Sequence, residues 1–207
     1  MVTISRNLKR LVYLISPNRI NPNFYSELEK VLSSKKVFFF QLRLKNKSTN
    51  HIIKIAKKIR PITKKYGVKF IINDNSLIAK KVKADGCHLG QIDDSIEEAR
   101  KNIKKKIIGI TCHGSKKLSL EAYKKKCDYV AFGSFYNSKL KPNAKKADLK
   151  ILTWAKKRIK KPIVVIGGIT DKNYTNLINY GANYIALSTF IWNNPILKPE
   201  IAIKKFI

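Results

Sequence analysis

The residues in this chain best suited to chemistry stand at or just after the ends of short apolar runs. Gln41, Arg43 and Lys45 alternate from the end of the run Val37–Leu42, so in an extended segment their side chains share one face. An amide and two cations on one face suit phosphate oxygens and a polar heterocycle; an exposed edge strand with a solvated cationic face would show the same pattern. Asn73-Asp74 follow the run Lys69–Ile72, and Asp93-Asp94 come shortly after Gly86–Leu89. In a chain with only 13 acidic residues, Asp74 and Asp93 at neighbouring strand ends are candidates for joint Mg²⁺ binding, because that ion takes one or two carboxylates and completes its shell with water and substrate phosphates. Helix capping is the competing explanation, and it suits Asp94 best. Gly167-Gly168 and Ser188-Thr189 close the last two apolar runs; glycine there lets backbone N–H groups approach a phosphate, and a following helix N-terminus adds partial positive charge.

The elements that must position these residues recur along the chain. Apolar runs at Leu11–Ser16, Val37–Leu42, Lys69–Ile72, Gly86–Leu89, Ile107–Thr111, Tyr129–Phe132, Ile163–Ile166 and Tyr184–Leu187 read as strands buried on both faces. Between them Phe24–Leu32, His51–Tyr66, Ser95–Lys104, Leu118–Lys126, Leu149–Lys160 and Lys172–Tyr180 carry apolar residues at helical spacing, with lysine on the opposite face. Asp94-Ser95 and Thr170-Asp171 are start signals, and Gly181 a stop signal. Eight strand-helix units predict one domain over residues 1–207, a single (β/α)₈ TIM barrel, with an open doubly wound sheet as the alternative. In such a barrel the site lies at the C-terminal ends of the strands, where all the polar groups above fall. The long connection Gly133–Ala147 has the length of a functional loop.

Composition narrows the class. The chain has 207 residues, 44 Lys+Arg against 13 Asp+Glu, and a formal charge of +31, which raises the question of nucleic acid. The excess is lysine spread over the helices, without a stripe of basic and aromatic residues, which argues against a specific nucleic-acid partner. Three cysteines, Cys87, Cys112 and Cys127, lack metal or disulfide spacing and read as buried residues of a reduced compartment. No apolar run reaches membrane-spanning length, and the first residues lack a cleavable signal pattern, so a cytoplasmic protein is expected. His88, inside an apolar run, reads more readily as a hydrogen-bonded structural histidine than as a catalytic one. G-x-S-x-G, H-E-x-x-H and P-loop strings do not occur.

Taken together and in order, Gln41-Leu42-Arg43-Leu44-Lys45, Asn73-Asp74, the string Ala84-Asp85-Gly86-Cys87-His88-Leu89-Gly90-Gln91-Ile92-Asp93, Gly109-Ile110-Thr111-Cys112-His113, Asp128-Tyr129-Val130, Lys141-Pro142 and Ile166-Gly167-Gly168-Ile169-Thr170 resemble the thiamine phosphate synthase family. The resemblance runs from about Leu11 to Ile191. It implies a small (β/α)₈ barrel that joins hydroxymethylpyrimidine diphosphate to hydroxyethylthiazole phosphate and releases pyrophosphate through a pyrimidinylmethyl cation. By motif, Gln41, Arg43, Lys45 and Asn73 would hold the pyrimidine substrate and its diphosphate, and Asp74 and Asp93 the Mg²⁺ ion. Thr111 stands where the family has a substrate-contacting serine. Lys141 would bind diphosphate from the long loop, and Ser138, Gly168, Ser188 and Thr189 would surround the thiazole phosphate. Arg43, Lys45, Thr111 and Lys141 are thereby the catalytic candidates.

The long loop departs from the family's P-T-x-T-K, reading Asn137-Ser138-Lys139-Leu140-Lys141, so Leu140 removes a hydroxyl expected near the thiazole phosphate. Thiazole tautomerase, of the same barrel family, is the alternative reading, with His113 placed for proton transfer; the diphosphate and Mg²⁺ residues argue against it. A non-enzymatic nucleic-acid-binding protein is the remote third. Oligomeric state is not legible in the sequence.

Overall fold

The computed structural model describes residues 10–137 and 146–206. Its strands, β1 (Val12–Ile15), β2 (Val37–Leu42), β3 (Lys69–Asn73), β4 (Gly86–Leu89), β5 (Ile107–His113), β6 (Tyr129–Phe132), β7 (Ile163–Ile166) and β8 (Tyr184–Leu187), pair in parallel in sequence order. The β1–β8 pair, Val12 opposite Ile185, closes the barrel, which excludes the open doubly wound sheet.

Closure sorts the side chains of each strand into two sets. Tyr13, Ile15, Phe39, Ile71, Ile107, Tyr129, Val164 and Tyr184 point inward as one cluster, whereas Val12, Leu14, Phe40, Phe70, Ile72 and Leu89 face the helices as part of the larger one. This is the period-two alternation of an extended chain wrapped into a cylinder. The interior is unusually aromatic for a fold whose inward layers are generally aliphatic. Gly109 in β5 makes that possible: a Cβ there would lie 1.8 Å from Tyr129 Cζ.

The outer layer comprises α1 (Phe24–Ser33), α2 (Thr49–Lys65), α3 (Ser76–Lys81), α4 (Ile96–Ile103), α5 (Lys116–Lys124), α6 (Lys150–Arg158), α7 (Tyr174–Asn179), α8 (Thr189–Trp192) and α9 (Pro199–Ala202). In α2, Ile53, Ala56, Ile59 and Thr63 form the buried stripe at helical spacing. Helix starts are capped by Ser48 for α2, Asn75 for α3, Ser95 for α4 and Ser115 for α5. Two start signals thereby shift. Ser95 caps α4, in a reciprocal box with Glu98, and Asp94 instead accepts from Ser76 N at 3.1 Å and Ser76 Oγ at 2.5 Å, tying α4's lead-in to the start of α3. Asn173, not Thr170 or Asp171, precedes α7. Among the described residues no helix is long and apolar enough to cross a membrane.

Candidate active site

The mouth of the barrel is built from the residues at the C-terminal end of each strand. Ser16, after β1, stitches three strand ends together: its N–H donates to Gln41 O at 2.9 Å, its hydroxyl accepts from Arg43 N at 3.0 Å, and its carbonyl accepts from Ser188 Oγ at 3.4 Å. Gln41 is buried, while Arg43 and Lys45 leave the strand for the rim. Lys45 is held at both ends, its N–H donating to Asn18 Oδ1 at 2.7 Å and its ammonium paired with Asp74.

Asp74 sits in the left-handed region, φ 65°, with its N–H donating to His88 O at 2.7 Å. Aspartate tolerates that conformation better than most residues, and the turn carries its carboxylate away from the strand. Asp93 reaches back from the β4–α4 connection, its Oδ2 accepting from Gly90 N at 2.6 Å. The two carboxylates are neighbours: burial first, then a hydrogen bond with Asp74 and its charge, raise the Asp93 pKa, against the lowering pull of Gly90 N–H and Lys45. Such a pair is costly to keep fully ionised without a cation. The side chain of Asn73 makes no hydrogen bond among the described residues, so its amide is unspent at this rim.

Beneath this rim lies a polar chain inside the barrel. His88 is stacked on Tyr129, ring centroids 5.6 Å apart at 15°, with Nδ1 2.8 Å from Tyr129 Oη and Nε2 2.8 Å from Thr111 Oγ1. Burial, reinforced by Arg43 and opposed by Asp93, pushes the His88 pKa down to about 4. His88 is thus hydrogen-bonded through both ring nitrogens, and one of its partners is the candidate Thr111. Tyr13 and Tyr129, which sequence reasoning passes over as apolar strand residues, complete the chain; their signal is a hydroxyl in a strand core, which must find a partner when buried.

The opposite arc is formed by β6 to β8. Gly167 and Gly168 take positive φ, 105° and 62°, and at Gly168 a Cβ would lie 2.3 Å from Asn137 O, so glycine there admits the long loop rather than a ligand alone. The loop's first residues lie along this edge, Phe135 N donating to Ile166 O and Tyr136 N to Gly167 O, at 3.2 and 3.0 Å. Asn173 Nδ2 donates to Gly168 O at 3.0 Å, and a turn separates the glycines from α7, so the expected helix N-terminus does not follow them directly. Ser188 and Thr189 open α8, which is anchored by Trp192 Nε1 on Ile15 O at 2.7 Å. Ser138, Leu140 and Lys141 lie outside the described residues. His113 is exposed at the end of β5, and the three cysteines are buried, their thiols pushed up to about 12 by burial and thus unsuited to nucleophilic work.

The family model "Thiamine monophosphate synthase" matches residues 12–191, the span that holds this mouth. The chain belongs to the thiamine monophosphate synthase family. A thiamine-phosphate synthase of Pelagibacter ubique is 52% identical over 198 residues, covering 95% of this chain and 96% of its relative. One from Erythrobacter litoralis is 39% identical over 187 residues, 88% of each. Among solved structures, a thiamine phosphate pyrophosphorylase from Pyrococcus furiosus superposes with a TM-score of 0.85 at 29% identity, covering 97% of this chain and 94% of that one. Membership in the synthase family extends over both arcs of the mouth, from Gln41 to Thr189.

Proposed function

We propose that this barrel is a thiamine-phosphate synthase, a transferase of thiamine biosynthesis that joins hydroxymethylpyrimidine diphosphate to hydroxyethylthiazole phosphate and releases pyrophosphate. The observation that carries the reading is the convergence, at one end of the barrel, of Arg43, Lys45, Asn73, Asp74 and Asp93 beside the buried Gln41. The reaction breaks the C–O bond between the pyrimidinylmethyl carbon and the diphosphate, the electron pair leaving with pyrophosphate. The thiazole nitrogen then supplies the pair that closes the new C–N bond. No protein nucleophile is required, and the buried cysteines and low-pKa His88 provide none.

What the residues must do is stabilise negative charge as it grows on the leaving group. Arg43 and Lys45, just past β2, and Asn73 in β3 supply a guanidinium, an ammonium and an amide to that end, and by the family's motif Lys141 would join them. The donor set suits a divalent cation: Asp74 and Asp93 are two hard oxygen ligands already brought together, with Lys45 as the only neighbouring positive charge among the described residues that pairs with either. Mg²⁺ bound by Asp74 and Asp93 would supply charge to the departing diphosphate. Gln41 and Thr111 offer an amide oxygen and a hydroxyl to the heterocycle, and by the family's motif Gly168, Ser188 and Thr189, together with Ser138, would take the thiazole phosphate. Incubation of the purified protein with both substrates and Mg²⁺ should yield thiamine phosphate and pyrophosphate in equal amounts; no product, with a folded protein, would overturn the proposal.

A further inference from the structure

We propose that Tyr13, Tyr129 and His88 are positioning residues that link Gln41 to Thr111 in a hydrogen-bond chain of a single direction, so that Thr111 presents its hydroxyl proton, as a donor, to the substrate. This rests on the reading of Gln41 and Thr111 as pyrimidine-site residues.

The chain has four links. Gln41 Nε2 donates to Tyr13 Oη at 3.0 Å. Tyr13 and Tyr129 hydroxyls are 2.7 Å apart, and the His88 contacts at 2.8 Å continue to Thr111. Both phenols are buried and pair with neutral groups, and each ring nitrogen of His88 faces a hydroxyl rather than a carboxylate, so both tyrosines keep their protons and the imidazole carries one. Each link then holds one proton, and the direction of the first dictates the rest. Because Tyr13 Oη accepts from the Gln41 amide, its own proton has one remaining partner, the oxygen of Tyr129. Tyr129 must then donate to His88, which requires Nδ1 to be unprotonated and places the imidazole proton on Nε2. Nε2–H donates to Thr111 Oγ1, leaving the threonine proton free to point away from the barrel axis network.

With the Gln41 amide as donor, reversal of any later link would leave a hydroxyl proton without an acceptor; only turning that amide to present Oε1 to Tyr13 would reverse the whole chain. Gln41 Oε1 has no partner among the described residues, so it is open to the mouth and remains an acceptor. The two ends therefore offer opposite characters, an acceptor from Gln41 and a donor from Thr111. That matches an aminopyrimidine, which carries an N–H donor and ring-nitrogen acceptors.

The test is nitrogen NMR of the ¹⁵N-labelled, ligand-free protein, in which His88 is one of three histidines and is identified by its loss in His88→Gln. The expected spectrum has a protonated Nε2 and an unprotonated Nδ1; the opposite tautomer, or a doubly protonated ring at neutral pH, overturns the proposal. In Tyr129→Phe the donor to Nδ1 is gone, and both ring nitrogens should move toward the averaged position of mixed tautomers, whereas an unchanged spectrum would count against a directed chain. The same variant should raise KM for pyrimidine diphosphate by roughly threefold to tenfold with KM for thiazole phosphate nearly unchanged; a purely structural role would shift both or neither. Should Tyr129→Phe fail to fold, Tyr13→Phe carries the kinetic test, and the wild-type spectrum decides the direction by itself. Absence of synthase activity in the wild-type protein would defeat the functional reading while leaving the tautomer measurement intact.

Discussion

Carboxylates at the two ends of the barrel are used in opposite ways. At the floor, the residue just before each of β4, β6 and β8 exchanges a pair of hydrogen bonds with one residue of the preceding strand. Asp85 N donates to Phe70 O and its Oδ2 accepts from Phe70 N, both at 2.8 Å; Asp128 does the same with Ile108, at 2.7 and 2.9 Å; Asn183 does it with Ile163, at 2.8 and 2.9 Å. Arg100 completes Asp128 at 2.9 Å, and Arg60 stands 3.8 Å from Asp85. At the mouth, Asp74 and Asp93 face each other with one lysine and one backbone N–H between them. A saturated carboxylate holds a fold together; an under-neutralised one is available to a ligand.

The largest expected effect comes from that contrast. Asp93→Ala and Asp74→Asn should each lower kcat/KM by about 10²–10³-fold while unfolding free energy changes by less than about 1 kcal/mol, asparagine being chosen at position 74 because it tolerates the left-handed backbone there. Steady-state kinetics and denaturant titration of the same preparations check both halves. Mouth variants that lose stability and keep their turnover would break the comparison.

Asp128→Ala should behave in reverse. It leaves the buried Ile108 N–H without its carboxylate partner, although Arg100 retains the carbonyls of Lys104, Lys106 and Lys126. A loss of about 2 kcal/mol is expected, with kcat/KM of the folded enzyme unchanged. Asp85→Ala should cost less, because the Asp85 side chain is more exposed, 26% against 9%, and its arginine is farther away.

These roles differ in how much of them the sequence reveals. The barrel strands are legible because a strand buried on both faces is a continuous apolar run, and such runs recurring along a whole chain are hard to mistake for surface. The mouth candidates are legible because a polar residue directly after such a run stands at a strand end. Helix α3 is not legible, since Ser76–Lys81 is too short for a 3.6-residue period to declare itself, and the same holds for α8 and α9. Asp94 misleads for a different reason: beside Ser95 it looks like a cap, and only the fold brings Ser76 within its reach. The Gln41 to Thr111 chain runs through five different strands, and no local pattern announces contacts assembled by closure.

Asp94 occupies the middle of the scale. Asp94→Ala removes two hydrogen bonds from Ser76, whose hydroxyl still accepts from Asn102 Nδ2 at 2.8 Å. The expected cost is about 1 kcal/mol of stability, read in the same denaturant titration, with turnover near wild type. A loss of turnover approaching that of Asp93→Ala would place Asp94 among the functional carboxylates and blur the division between mouth and floor.

The smallest effect should come from making the floor more uniform. Asn183 is the neutral member of the series, and its amide oxygen already accepts from Ile163 N. In Asn183→Asp the acceptor survives and gains charge, which strengthens a bond to a backbone N–H. The surrounding cleft contains Lys156, Lys160 and Lys161, so the new carboxylate would meet positive charge in a protein whose formal charge is +31. Because these lysines lie in an open cleft in water, the gain is limited to about 0.5–1 kcal/mol. Denaturation at low and at high salt separates the two contributions: the Coulombic part should fade as screening increases, and the hydrogen-bond part should persist. The advantage should also vanish as pH falls through the carboxylate range. Destabilisation at low salt and neutral pH would mean that the third position of the floor is built for an amide, and that the asparagine there uses its Nδ2 hydrogens as well as its oxygen.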